Sequence, residues 1–340
     1  MRNQLRNRAI GGRGLLLIGI LALVSATVDA QSGAAPTAAP GFAQIPHGKD
    51  TDLKFYPAGG NKLLGAQALT RMPEEAGLIL WLAGNQFFAM DDVVQAFQKL
   101  NPGVSVGLIT LPPGLIAEAI LAGGWRYEGK DYPGRPDVYA SVNLGHLQKL
   151  RQSGLMDSYA TYMHNELQIM VAKGNPRRVL GIGDLARADV RTSMPNPVNE
   201  GIMQFYARKV LERHGVWQQV SGGKECASFQ TTANNWFTAV HHRETPDRIR
   251  QGTADAGIVW KTEVIEAVRE GAPVEGVQLP PADSLRDEVS YAIGPLRNSP
   301  RQSAAAAYLI FLASAEGQAV YARYGFVSGT ADELRLKPIP

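Results

Sequence analysis

From about residue 77 onward, short and nearly uninterrupted apolar runs alternate with longer stretches in which apolar residues recur every three or four positions. The short runs predict strands covered on both faces, and the longer stretches predict helices with one buried stripe. Strands are predicted at 78–83, 104–110 and 137–141, and helices at 89–100, 114–122 and 144–153. The helix at 89–100 places Val93, Val94, Phe97 and Leu100 on one face and stops at Asn101-Pro102-Gly103, which cannot continue it. A second series opens with the run at 167–172. Its predicted strands are 190–193 and 254–259, and its predicted helices are 198–214, 231–240, 246–251 and 262–270. A strand at 289–296 and helices at 300–312 and 316–324 close the chain. This order is that of an α/β protein with largely parallel sheets, and no repeat of fixed period interrupts it.

In open α/β sheets, ligands bind outside the carboxyl ends of the strands, in the loops that lead into helices. Here those loops are 84–88, 111–114, 196–201 and the stretch around 260, and each carries residues unusual for a plain connector. Asn85 and Gln86 bring two amides able to donate and accept, although Asn85 also reads as a helix cap. Thr110 and Gly114 flank Pro112 and Pro113, which remove two backbone donors from that loop. Glu200 falls in the first turn of the 198–214 helix, where the dipole favours a carboxylate without any ligand. Facing a cleft, the same carboxylate points to a cationic or metal-containing ligand. Gly201 and Ile202 follow it.

The segment 241–260, HHRETPDRIRQGTADAGIVW, combines a helix start at Thr245-Pro246, a stop at Gly252 and a buried strand ending near Trp260. Unpaired N–H groups at such a helix start suit an anion. Arg243 offers a guanidinium fork and Trp260 an indole N–H, or each serves only the packing of the fold. His241 and His242 are adjacent, so their rings diverge. A metal site using them needs Glu200, or Cys226, from elsewhere in the fold. Nucleophile-base signatures, Walker loops and dinucleotide fingerprints are absent, so neither an enzyme nor a cofactor is expected.

Composition changes the picture mainly at the N-terminus. Arg2, Arg6, Arg8 and Arg13 precede an apolar run at 15–24 and a small-residue cleavage site at Val28-Asp29-Ala30, so residues 1–30 read as a secretory signal peptide. Residues 31–48, rich in Ala, Pro and Gly, read as a disordered lead. Removing the signal brings the formal net charge from +3 to about zero, and no basic stripe for nucleic acid is visible. Cys226 is the only cysteine, which excludes an intramolecular disulfide. The remaining length suits two lobes of ordinary domain size.

The segments MVAKGNP (170–176), GDLA (183–186), NPVNEGIMQFYARKVL (196–211), QGTADAGIVWKTEV (251–264), YAIGPLRNS (291–299) and YLIFLASAEGQAVYARYGF (308–326) carry a family resemblance. Over residues 77–326 the chain resembles the type II periplasmic solute-binding proteins of ABC transporters, and among them the molybdate-binding branch. The resemblance implies two α/β lobes, each a mostly parallel sheet flanked by helices, joined by a two-strand hinge. One lobe is expected from 49–165 plus 288–340 and the other from 166–287. It implies capture of a small polar solute, an oxyanion of the molybdate type, by a monomer in the periplasm that delivers it to an inner-membrane ABC permease. Two alternatives remain at this point: a metal or metalloid ligand held by His241, His242 and Glu200, or a ligand-sensing subunit for a membrane kinase. The first-loop serine of the molybdate pattern falls on Asn85, the second-loop serine on Pro113, and a second-lobe backbone donor on His242. Its tyrosine falls on Trp260, and a further backbone donor lies near Gly201 or Ile202. Serine to proline removes a donor, so the chain departs from the pattern where specificity is set. The insertion at 125–135 is expected either to reach the cleft rim or to form a surface hairpin.

Overall fold

The structure, a computed structural model, describes residues 41–239 and 244–340. The signal segment 1–30, most of the predicted lead, and His241, His242 and Arg243 lie outside the described residues. Two large sheets organise the chain. The nine-stranded sheet runs in the order Val327–Ser328, Ser158–His164, Ser290–Pro295, Val138–Ser141, Leu78–Ala83, Val106–Leu111, Leu53–Tyr56 and Leu63–Leu64, with Lys337–Pro338 also paired to Ser158–His164. Its centre is parallel, Leu78–Ala83 lying between Val106–Leu111 and Val138–Ser141. Strand periodicity divides the apolar run between two cores. Leu78, Leu80 and Leu82 pack on one face with Val106, Leu108, Val138 and Ala140, and Ile79 and Trp81 pack on the other with Ile109, Leu111 and Tyr139.

The six-stranded sheet runs Phe229–Gln230, Asn235–Phe237, Thr192–Met194, Ala256–Trp260, Leu167–Ala172 and Val274–Val277. The chain enters it from Ser158–His164 through Asn165 and Glu166, and returns through the short helix Pro281–Ser284 into Ser290–Pro295. The two crossings lie side by side, since Asn165 N–H donates to the Val289 carbonyl at 3.3 Å. Helices flank both sheets, giving the two-lobed α/β architecture.

Two sequence expectations change here, and one open alternative is decided. Residues 231–240 do not form a helix: Asn235–Phe237 is a strand, parallel to Thr192–Met194. The apolar spacing of Trp236 and Phe237 fits either period, and the polar run before them decides the outcome. Thr192 hydroxyl donates to Asn235 Oδ1 at 2.5 Å and Asn235 Nδ2 reaches Thr232 Oγ1 at 2.6 Å, so side chains compete with a helical backbone. Ala43 to Ile45 do not belong to a disordered lead, because Ala43–Gln44 pairs in parallel with Trp125 and Arg126, and Ile45 is fully buried. The 125–135 insertion is a hairpin of Gly124–Tyr127 and Lys130–Pro133 that completes this three-stranded sheet. Trp125 anchors it against Trp81, ring centroids 5.1 Å apart, away from the loops that end the parallel strands.

Candidate functional site

Loops from both sheets meet at one small cavity. Gly84 and Asn85 follow Leu78–Ala83, Pro112 and Pro113 follow Val106–Leu111, and Val142 follows Val138–Ser141. Asn199, Glu200, Gly201 and Ile202 come from the loop after Thr192–Met194, and Trp260 ends Ala256–Trp260. Every one of these strands pairs in parallel with a neighbour, and each contributes its carboxyl end. The cavity measures about 30 Å³, room for a ligand of a few heavy atoms rather than for a sugar or peptide.

All five loops run into helices: Gly84–Ala89 continued by Met90–Leu100, Pro113–Ala122, Leu144–Gln152, Ile202–Ala207 continued by Arg208–Arg213, and Lys261–Arg269. Helix starts carry the positive end of the dipole, which favours an anion without a cationic side chain, although the first N–H groups at Lys261 and Gly145 are taken by the Glu166 carbonyl and by Asn143 Oδ1. Among the described lining residues there is no Lys, Arg or His, and Glu200 is the one ionisable group. Pro112 and Pro113 supply no N–H, so donors on that side begin further along the helix. The Gly84 backbone lies so close to the neighbouring loop that a Cβ there would stand 3.3 Å from the Leu111 and Thr110 carbonyl oxygens. Glycine is what lets these two loops share one wall.

Glu200 is buried, and its carboxylate is a pin for its own loop. Oε1 accepts from Asn196 N–H and Nδ2, each at 3.0 Å, and from the Thr238 hydroxyl. Asn196 Oδ1 in turn accepts from Val198 and Asn199 N–H at 3.0 and 2.9 Å, and its Nδ2 donates to the Thr238 carbonyl. The loop is thereby tied to the end of Asn235–Phe237, and the helix starting at Gly201 is aimed at the cavity. Neither Asn196 nor Thr238 stood out in the sequence, although Asn196-Pro197 is a turn signal of the kind that organises a loop in this way.

Of the residues expected at the site, Asn85, Glu200, Gly201, Ile202 and Trp260 line the cavity together. Gln86 does not. It is fully buried behind the loop, its Oε1 accepting from the Tyr162 and Tyr321 hydroxyls at 3.0 and 2.8 Å. Thr110 also points away, its hydroxyl donating to Asp52 Oδ1 at 3.2 Å. Gly114 stands against His146, a Cβ there lying 3.4 Å from Nε2, and is not in the lining. His242 and Arg243 fall outside the described residues, as does His241. Thr245 is buried with its hydroxyl against Ser193, so it holds the helix Glu244–Arg250 to a strand rather than capping it. Among the described residues, no group of three or more His, Cys, Asp or Glu side chains is placed to hold a metal, and Cys226 packs partly buried against the core.

Sequence reasoning missed the groups that hold the two walls together. Tyr206 donates from its hydroxyl to the Val142 carbonyl at 2.6 Å and meets Trp260 edge to face at 5.6 Å. Burial, with Glu288 nearby, pushes its pKa up to about 12, so it stays a donor. His146 pairs through Nδ1 with Ser141 Oγ at 2.8 Å and meets Phe205 edge to face at 5.8 Å. Burial and then Lys149 push its pKa down to about 4, so the ring is neutral near pH 7. Behind the cavity, the Asn85 amide nitrogen lies 2.5 Å from Tyr291 Oη, which is also 3.1 Å from Asn165 Nδ2 at the hinge crossing. Asn85 Oδ1 is buried with no hydrogen-bond partner.

Comparison with known proteins places the chain. It is 22% identical over 251 residues to the molybdate-binding protein ModA of Mycobacterium tuberculosis, covering 73% of this chain and 84% of that protein. It is 26% identical over 204 residues to a sulfate-binding protein of Salmonella typhimurium, covering 58% and 60%. Among solved structures, the periplasmic molybdate-binding protein of Azotobacter vinelandii superposes with a TM-score of 0.57 at 16% identity, covering 74% of this chain and all of that one, a likeness of fold. The family model of the bacterial extracellular solute-binding proteins matches residues 78–327, from the start of Leu78–Ala83 to the first residue of Val327–Ser328, and the chain belongs to that family.

Proposed function

We propose that this solute-binding protein captures a small tetrahedral oxyanion of the molybdate or sulfate type in the periplasm and delivers it to an inner-membrane ABC permease. The observation that carries the reading is the convergence of helix starts from both sheets on a cavity of about 30 Å³ with no cationic side chain among its described lining residues. Backbone N–H groups and dipole ends hold an anion without neutralising it. A cation finds no cluster of carboxylates there, because Glu200 is engaged by Asn196 and Thr238. The similarity to molybdate- and sulfate-binding proteins supports the ligand class. No helix among the described residues is long and apolar enough to cross a membrane, consistent with a protein that meets its permease from outside the bilayer. Closure follows from contacts that exist only when both walls meet the ligand.

The test is a thermal-shift and calorimetric titration with molybdate, tungstate and sulfate, set against divalent metals and neutral solutes. At a ligand concentration of a hundred times Kd the folded state gains about 2.7 kcal/mol, a shift of several degrees. A shift with metals or neutral solutes and none with the three oxyanions sinks the reading.

A further inference from the structure

The hydrogen-bond count behind the cavity does not close with the Asn85 amide as placed. Two NH2 groups, from Asn85 and Asn165, converge on the single Tyr291 hydroxyl, whose own proton is then left without an acceptor, while Asn85 Oδ1 has no partner. The oxygen and nitrogen of an amide are nearly equal in shape, so the network decides which is which. Asn165 is fixed: its Oδ1 accepts from Glu166 N–H at 2.9 Å, so its Nδ2 must be the group that donates to Tyr291 and to Thr262 Oγ1. Tyr291 is fully buried and its pKa is pushed well up by that burial, so its oxygen keeps its proton. Having accepted from Asn165, it donates that proton forward. The atom receiving it on Asn85 is therefore the oxygen, and the Asn85 NH2 group turns to the cavity.

We propose that Asn165 and Tyr291 are positioning residues that fix the Asn85 amide with its NH2 toward the cavity, so that this wall accepts ligands presenting unprotonated oxygens. The assignment deepens the oxyanion reading and rests on it for its ligand, but the orientation itself is a property of the free protein. The exchange gives Asn85 Oδ1 and the Tyr291 proton a partner each and leaves the Asn85 NH2 group as the donor for a ligand to satisfy. The chain of donors also joins three parts of the fold. It runs from Thr262 in the helix after Trp260, through Asn165 at the crossing between the sheets, to Tyr291 in the returning strand and Asn85 in the ligand loop. A movement at the crossing that separates Asn165 from Tyr291 frees the hydroxyl and with it the amide.

Two measurements decide it. Neutron diffraction of the protein exchanged into D2O is expected to place the Tyr291 deuteron on the line to Asn85 and two deuterons on the cavity side of the Asn85 amide. A Tyr291 deuteron directed at Asn165 overturns the proposal whether or not any oxyanion binds. Calorimetry with molybdate and with sulfate then compares Asn165→Asp with Asn165→Ala. Aspartate turns the chain round, because Tyr291 donates to it and Asn85 must present its oxygen to the anion. The expected loss is about tenfold to a hundredfold in affinity for Asn165→Asp. Asn165→Ala leaves Tyr291 free to donate to Asn85 and loses about threefold or less. A purely structural role predicts the reverse order, truncation hurting more than the isosteric change. The double variant Asn165→Asp, Tyr291→Phe separates the relay from simple charge repulsion: affinity recovers toward wild type if the relay acts, and stays as low as in the single variant if it does not. Failure of the wild type to bind either anion rejects the ligand reading and leaves the neutron result to decide the orientation.

Discussion

The candidate cavity and the groove at the other end of the same strands invite comparison, because size and chemistry point in opposite directions. The groove, bordered by Leu69, Met72, Trp81, Trp125, Arg135 and Arg301, encloses about 510 Å³ against about 30 Å³ for the cavity. Both touch the strand Leu78–Ala83, the groove at Ile79 and Trp81 and the cavity in the loop just past its end. In the groove the guanidinium groups of Arg135 and Arg301 turn to the protein. Arg135 Nε donates to the Ile120 carbonyl at 2.7 Å, and Arg301 donates to the Ala76 and Pro73 carbonyls at 2.7 and 3.0 Å, closing loops onto the sheet. At the cavity the starts of helices from both sheets converge. Volume marks where side chains happen to leave room, whereas a site for a small ion is marked by helix dipoles that converge on one point.

If that contrast holds, damage to the groove costs stability and damage to the cavity costs affinity. The largest effect is expected from Trp125→Ala. Trp125 is 1% exposed and packs on Trp81, so removing it leaves a large void and lowers stability by about 3–5 kcal/mol. Urea denaturation measures the loss, and calorimetry on the folded fraction should show oxyanion affinity unchanged. A parallel fall in affinity would show that the two regions are coupled. Asn85→Ala is the opposite case. Removing one hydrogen bond to a charged ligand costs about 1.5–3 kcal/mol of binding. The same change leaves the buried Tyr291 hydroxyl without this partner and should cost the free protein about 1–3 kcal/mol, less than Trp125→Ala. An unchanged affinity would remove Asn85 from the site.

What the sequence disclosed follows the same division. The strands and helices of the nine-stranded sheet were legible because their apolar runs are buried on both faces, as Leu80 and Trp81 show by entering different cores. The loops at the strand ends were legible as places, and Asn85, Glu200 and Trp260 do line the cavity. The direction of side chains within a loop was not legible. Gln86, one residue from Asn85, turns to Tyr162 and Tyr321, because a 3-10 turn sends neighbours to different sides. Residues 231–240 misled because a strand of three residues carries too little periodicity to outvote a helix pattern. Asn196, Thr238 and Tyr291 were out of reach for another reason. Their roles depend on partners 4 to 206 positions away, and only the fold brings these together.

pH gives a third way to separate the regions, through His146 at the cavity's rim. Its folded pKa of about 4 lies below the ordinary value of 6.5, so the unfolded chain takes up a proton that the folded one resists. Stability should therefore be level above about pH 6.5 and fall as pH drops toward 4, by on the order of 2 kcal/mol after allowance for the partial exposure of the ring. Urea midpoints at pH 7 and pH 5, compared between wild type and His146→Gln, isolate the contribution. A pH dependence identical in both proteins would assign the loss to other groups. Because the ring packs on Phe205 of the opposing wall, the same protonation should loosen closure and weaken anion binding in step.

The smallest effect expected is also the most local. Tyr206→Phe keeps the ring against Trp260 and removes only the hydroxyl that bonds the Val142 carbonyl across the cavity. A neutral hydrogen bond is worth about 0.5–1.5 kcal/mol net, so affinity should fall by a few fold. The bond joins the two walls, so it contributes to the closed form and not to the open one, and the loss should appear mainly as faster release of the anion. Stopped-flow measurement of association and dissociation tests this. A slower association with unchanged dissociation would mean that Tyr206 shapes the open cleft, and the contact of His146 with Phe205 would then be what joins the two walls.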